Sequence, residues 1–245
     1  MKIGQSSNPV LGKNALTRVY NDAGTGQMTI MGTVNKMIIS LLLVVVSSAF
    51  SWKYAMAGGG TSLMFVGLFG GLVAAIITIF KPNIAHITTP IYALLEGLFL
   101  GTISAFFNAM FEGIVFQAIG LTFGVAFALL IAYRTGLIKA TAGFRRGVII
   151  ATGGVAIFYL VSIIGSFFGG GINLFSMGLL GIGIQLVIVG IAALNLVLDF
   201  DTIEKTAASG APKVMEWYGA FGIMVTLIWL YLEILKLLAL LTGRD

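Results

Sequence analysis

Seven stretches of about twenty residues run almost free of charge along this chain, and no other feature limits its fold as strongly. The first covers about 33–52 (TVNKMIISLLLVVVSSAFSW) and the second about 61–80 (TSLMFVGLFGGLVAAIITIF). The others are expected near 91–111, 114–133, 147–168, 177–200 and 217–241. About 20 apolar residues suffice to cross a bilayer as a helix. Barrel strands would alternate apolar and polar residues over about ten positions, whereas these runs are continuous. The pattern predicts an all-α membrane protein, a bundle of seven transmembrane helices. A polar tail over 1–32 precedes a single membrane domain over 33–245. Charged residues make up 9% of the 245, against about a quarter in a soluble domain. That is too few to wet a soluble surface, which excludes a soluble enzyme with a membrane tail.

The residue inventory removes most chemistries. There is no cysteine and a single histidine, His86, expected in a loop, so thiolate and His-rich metal sites are excluded. No GxSG, HExxH or phosphate-binding loop is present. Lys236 is a poor retinal lysine: it lies about six residues from the end of the seventh span, and the three tryptophans (Trp52, Trp217, Trp229) leave the third and sixth spans without one. No enzyme and no cofactor are expected. The net charge of +5 comes from basic residues between apolar spans. It is therefore read as topology and contact with the lipid bilayer rather than as nucleic-acid binding.

Basic residues cytoplasmic of a span set its orientation. With the N-terminus inside, eleven of the 14 Lys and Arg fall on that side: Lys2, Lys13, Arg18, Lys36, Lys81, Arg134, Lys139, Arg145, Arg146, Lys205 and Lys213. Lys53, Lys236 and Arg244 fall on the other. The expectation is an integral multi-pass protein of the plasma membrane, N-terminus cytoplasmic and C-terminus outside. Small residues recur at GxxxG spacing, as Gly97/Gly101 and Gly120/Gly124. Such pairs let helix backbones approach closely, and packing within the chain is the expected use, ahead of homodimerisation.

An ionisable residue inside a span is costly and points to function. The candidates are Glu96 in the third span, Asp199 and Asp201 at the end of the sixth, and Glu233 and Lys236 in the seventh. From the helical rise, Glu96 and Asp199 each lie about 9 Å from the cytoplasmic edge, and Glu233 about 24 Å from it. Asn195 is one turn from Asp199 on the same face. Carboxylates that share a partly dry site repel one another and share protons. Such a cluster binds a hard cation such as calcium through oxygen. Each residue also has a plainer reading. Asp199 and Asp201 sit at the aqueous interface, Glu233 pairs with Lys236 at i,i+3, and Lys36 is a snorkelling anchor or a cross-helix partner. Asp22, Glu112, Glu204, Glu216 and Asp245 are read as loop or tail residues.

The segments YALLEGLFLGTIS (92–104), LNLVLDFDTIEK (194–205) and WLYLEILKLLALL (229–241) resemble the Bax inhibitor-1/YccA family. NPVL (8–11) and MTIMGTVNKM (28–37) resemble its bacterial branch, which has an extended loop before the last span. The resemblance implies a seven-helix bundle with the last helix central. It also implies a pH-sensitive calcium or cation leak, gated by an acidic pair. By motif the pair is Asp201 (FDTI) and Glu233 (LYLE), with transient calcium at Asp199, Asp201 and Glu233. The family's second-helix arginine has no counterpart, because residues 61–80 carry no charge. A different reading, also implied by relatives, is a regulator of a membrane-bound AAA protease without transport. The tail 1–32 and the loop 201–216 would be its contacts.

Overall fold

The computed structural model describes residues 26–243. Seven helices in it are long and apolar enough to cross a membrane. They are α1 (Ile30–Met56), α2 (Ser62–Phe80), α3 (Ala85–Met110), α4 (Ile114–Arg134), α5 (Ala142–Phe167), α6 (Leu179–Ala208) and α7 (Met215–Thr242). Short 3-10 turns at Pro82–Ile84 and Leu174–Ser176 precede α3 and α6. Helices are the outcome lipid demands, since every backbone N–H and C=O must be satisfied within the segment. The outer faces carry large apolar side chains: Phe80, Phe116, Phe127 and Ile150 are each more than 60% exposed. Only lipid wets such a surface without cost.

The seventh helix is the most buried, and two apolar clusters meet along it. Leu230, Ile234 and Leu235 join Ala118 of α4 and Leu196 of α6. Phe221, Met224 and Ile228 join Val44 of α1 and Tyr92 of α3. Helix α7 thus packs against α1, α3, α4 and α6, while α2 lies against α3 and α5 against α6. The last helix is central, as the resemblance implies, but the two outer helices are held mainly by their neighbours.

Glycine sets the closest approach, between α1 and α3. A Cβ on Gly97 would lie 2.0 Å from Ser47 Oγ and 2.6 Å from Val44 O. One on Gly101 would lie 2.1 Å from Ser48 O. Ser47 donates to Leu94 O at 2.7 Å and Ser48 to Gly97 O at 3.0 Å, so the seam is closed by hydrogen bonds. The Gly97/Gly101 motif is an intramolecular packing face. Gly120 and Gly124 meet nothing within 4 Å.

Three boundaries differ from those read in the sequence. Helix α3 begins at Ala85 and runs through Pro90, where a loop was expected. Thr88 bonds Thr78 of α2 at 2.7 Å and Thr89 donates to Trp217 O at 3.3 Å, pinning this first stretch to its neighbours. Helix α5 begins at Ala142, capped by Thr141, whose oxygen accepts from Phe144 N at 3.2 Å, and so takes in Arg145 and Arg146. Helix α6 continues to Ala208. Its 30 residues span about 45 Å, against a hydrocarbon core of about 30 Å, so the expected loop 201–216 is largely helix.

The tail expected over 1–32 lies outside the described residues up to position 25, including NPVL. Its last part is structured. Met28 N donates to Ala211 O at 2.8 Å and Lys213 N to Gly26 O at 3.1 Å, pairing the lead-in to α1 with the α6–α7 connection. Thr29 then caps α1, accepting from Gly32 N at 2.9 Å.

Candidate functional site

Helix α7 holds two acidic side chains away from water, Glu216 in its first turn and Glu233 in its sixth. They are 17 residues apart, about 25 Å along the axis. A buried carboxylate persists only when paired and hydrogen-bonded, and the two meet that demand differently.

The Glu233 carboxylate, 2% exposed, gathers four side-chain donors. Tyr159 of α5 donates its hydroxyl at 2.7 Å, Gln185 of α6 its amide at 2.7 Å, and Trp229 its indole N–H at 3.0 Å. Lys236, one turn on, lies 2.8 Å away, which is the i,i+3 pair read in the sequence. Lys236 also donates to Tyr159 Oη at 2.7 Å, with its ammonium 4.5 Å from the centre of that ring. Gln185 is fully buried and donates again to the Glu233 main-chain oxygen at 2.8 Å. Its own Oε1 has no partner among the described residues.

Glu216 is held at the opposite end of the same helix. Lys36 of α1 lies 2.7 Å from its Oε2. Thr29 donates to Oε1 from its backbone at 3.1 Å and from its hydroxyl at 3.0 Å. The carboxylate occupies space left by Gly32, where a Cβ would lie 2.0 Å from Oε1. Reading Glu216 as a loop residue is thus corrected: it is 1% exposed and ties the first helix to the last. Lys36 is the cross-helix partner rather than only an anchor.

Asp201 is bound by Arg145 of α5 and by Lys205 at 2.7 Å, one turn on in its own helix. Arg145 is thus the cross-helix cation at Asp201. Nearby, Tyr133 of α4 donates to Glu204 at 2.5 Å, so three helices are tied together at this basic end. Asp199, two residues before Asp201, lies on the other side of the helix, beside Thr226 of α7. Its buried Oδ2 has no partner among the described residues. Asn195 donates to Thr152 of α5 at 2.8 Å and to Ile191 O at 2.8 Å, so it serves the α5–α6 contact rather than Asp199. Glu96 faces α2: a Cβ on Gly71 would lie 2.8 Å from its Oε2. Tyr92 is its near neighbour on α3.

The expected acidic cluster is therefore not assembled. Gln185 bonds Glu233 and lies 16 residues before Asp201 on α6, which separates Asp201 from Glu233 by about 24 Å. Glu96 and Asp199 border different helices. No group of three or more His, Asp or Glu converges among the described residues. A shared calcium site at Asp199, Asp201 and Glu233 is absent from this arrangement. What the structure brings together is a seam between α6 and α7. Gln185 and Asp199 are two heptads apart on α6, as are Gly219 and Glu233, with Thr226 between them, on α7. Gln185 meets Glu233, Asp199 meets Thr226, and Ile203 meets Gly219, in antiparallel order. The two orphaned oxygens, about 21 Å apart along α6, both belong to this seam.

Arg145, Tyr159, Gln185 and Glu216 escaped the sequence reading. Glu216 had a signal, an acid at the start of an apolar run, where helices favour one. Tyr159 and Gln185 had none beyond polarity within a span. No curated protein matches the chain. The family profile described as Bax inhibitor 1 like matches residues 8–243. With seven spans and the last one central, the chain belongs to the Bax inhibitor 1 like family.

Proposed function

We propose that the protein is a proton-sensitive leak pathway for a hard cation, calcium foremost, running along the α6–α7 seam. The observation that carries this reading is the Glu233 site, a buried carboxylate two-thirds of the way along the central helix. It holds one ammonium and three neutral donors, beside a buried Gln185 oxygen with no partner. Hard cations bind oxygen, and the seam offers Gln185 Oε1, Glu233 and Asp199 in sequence. A cation entering near Glu233 displaces Lys236, whose side chain is 30% exposed and can swing aside. Protonation of Glu233 removes the charge that draws the cation in.

At the basic end, Arg145–Asp201 and Lys36–Glu216 act in this reading as two latches, fixing α5 to α6 and α1 to α7. The carboxylates thus work in series rather than as one cluster. That end is the cytoplasmic side by its charge, in a plasma membrane. The protease-regulator reading draws less support, because the two segments it needs bind one another at Gly26–Met28 and Ala211–Lys213.

Proteoliposomes holding a calcium dye test the proposal. Calcium entry is expected to vary with pH, and Glu233→Gln is expected to lower it at least tenfold and flatten the pH dependence. Asp201→Asn is expected to raise entry at neutral pH. Entry that is the same in native protein, Glu233→Gln and Asp199→Asn would refute the seam as the path.

A further inference from the structure

A groove of about 410 Å³ opens sideways between α1 and α4, away from the α6–α7 seam. Its walls include Leu41 and Lys53 of α1 with Ile119 and Phe123 of α4, and its floor includes Leu100 of α3 and Tyr231 of α7. The floor is sealed by the Ser104–Tyr231 hydrogen bond at 2.7 Å. Along α1 the groove runs from Leu41 to Lys53, about 18 Å. One leaflet of the hydrocarbon core is about 15 Å deep. The groove is therefore one leaflet long, with its apolar length buried and its charged end at the interface.

We propose that it holds one acyl chain of an anionic phospholipid from the leaflet at the Lys53 end, with Lys53 on the phosphate. Three features select this occupant. The lining is apolar and faces the membrane, so a hydrocarbon chain fills it without unpaired polar groups. Lys53 is exposed and makes no ion pair among the described residues. It sits beside Trp52, also in the lining, and tryptophan favours the headgroup level. Because Leu227, Ile228 and Tyr231 of α7 form the floor, the lipid tail rests directly on the central helix.

The test uses full-length protein in phosphatidylcholine vesicles with a minor fraction of phosphatidylglycerol, brominated in mid-chain on one lipid or the other. Quenching of Trp52 is read as the difference between the protein and its Trp52→Phe variant. Brominated phosphatidylglycerol is expected to quench about fivefold better, molecule for molecule, than brominated phosphatidylcholine, the preference one surface lysine confers. Lys53→Gln should bring the ratio to about one. Ala49→Phe, which fills the groove from an exposed lining position and keeps Lys53, should lower Trp52 quenching by brominated phosphatidylglycerol severalfold, because the brominated tail no longer enters, while leaving the emission of Trp217 and Trp229 unchanged. Equal quenching by the two lipids in the native protein overturns the proposal, as does a preference that survives Lys53→Gln or quenching that Ala49→Phe leaves unchanged. The chain has no cysteine, so efficient disulfide formation between Ile119→Cys copies would show that a second chain covers the groove, and would overturn it as well.

Discussion

Replacing Gly101 with alanine tests the packing argument at its tightest point. The added Cβ would lie 2.1 Å from both Ser48 O and Ser51 Oγ, and 2.7 Å from Ser48 C. Ser51 can rotate away, but Ser48 O is backbone. Ordinary contact begins at 3.4 Å, so α1 must retreat by about 1.3 Å. Overpacking of this kind costs about 1–3 kcal/mol. The retreat also stretches the bonds from Ser47, Ser48 and Ser51 to α3, each worth about 0.6 kcal/mol in a membrane. Alanine returns about 1 kcal/mol of helix propensity. The net expectation is a loss of about 1–4 kcal/mol. Gly124→Ala is the matched control: its Cβ meets nothing within 4 Å, so propensity alone acts and the variant should be neutral or slightly more stable. Equilibrium unfolding of both variants in bicelles decides the matter. A Gly101→Ala protein as stable as the native one, or a Gly124→Ala protein that loses as much, would refute the reasoning.

Lys36→Met strands the Glu216 carboxylate at 2% side-chain exposure. It should cost about 3 kcal/mol, and adding Glu216→Gln should recover most of it, as a double-mutant cycle in the same unfolding assay will show. Tyr159→Phe removes a donor to Glu233 and an acceptor for Lys236. A loss of about 1.5–3 kcal/mol is expected, with calcium entry altered in proteoliposomes. A silent Tyr159→Phe would mean that α5 takes no part in the site.

How much of this was legible differs by residue. The seven spans were, because hydrocarbon forces a long apolar run for each crossing. Their ends were not. Lys205 and Glu204 look like loop residues until Asp201–Lys205 pairing and the length of α6 carry the helix out of the membrane. The Glu233–Lys236 pair was legible because it is local, three residues on one helix. Depth arithmetic also separated Glu233 from the sixth-span aspartates. What no spacing could supply was azimuth across helices: that Asp201 turns to Arg145, Asp199 to α7 and Glu96 to α2. Asp199 and Asp201, two residues apart, could have been assigned to different sides of one helix from the period alone. Gln185 and Tyr159 matter only through a carboxylate some fifty and seventy residues later, respectively, a relation that exists only in three dimensions.

The bond between Lys36 and Glu216 joins positions 180 residues apart. Synthesis at 5–20 residues per second puts about 10–40 s between them. In that interval α1, α2 and α3 already possess their shared seam, since everything it needs has been made by Ser104. The nascent chain therefore has a first half able to settle in the bilayer and a final helix that must then be received into a waiting cleft. Until α7 arrives, Lys36 keeps its charge at the lipid surface without a counter-ion, and both apolar clusters lack the strip along which they meet. A ribosome that stops before residue 215 would leave a protein of six spans without its central helix, with both apolar clusters open and Lys36 unpaired.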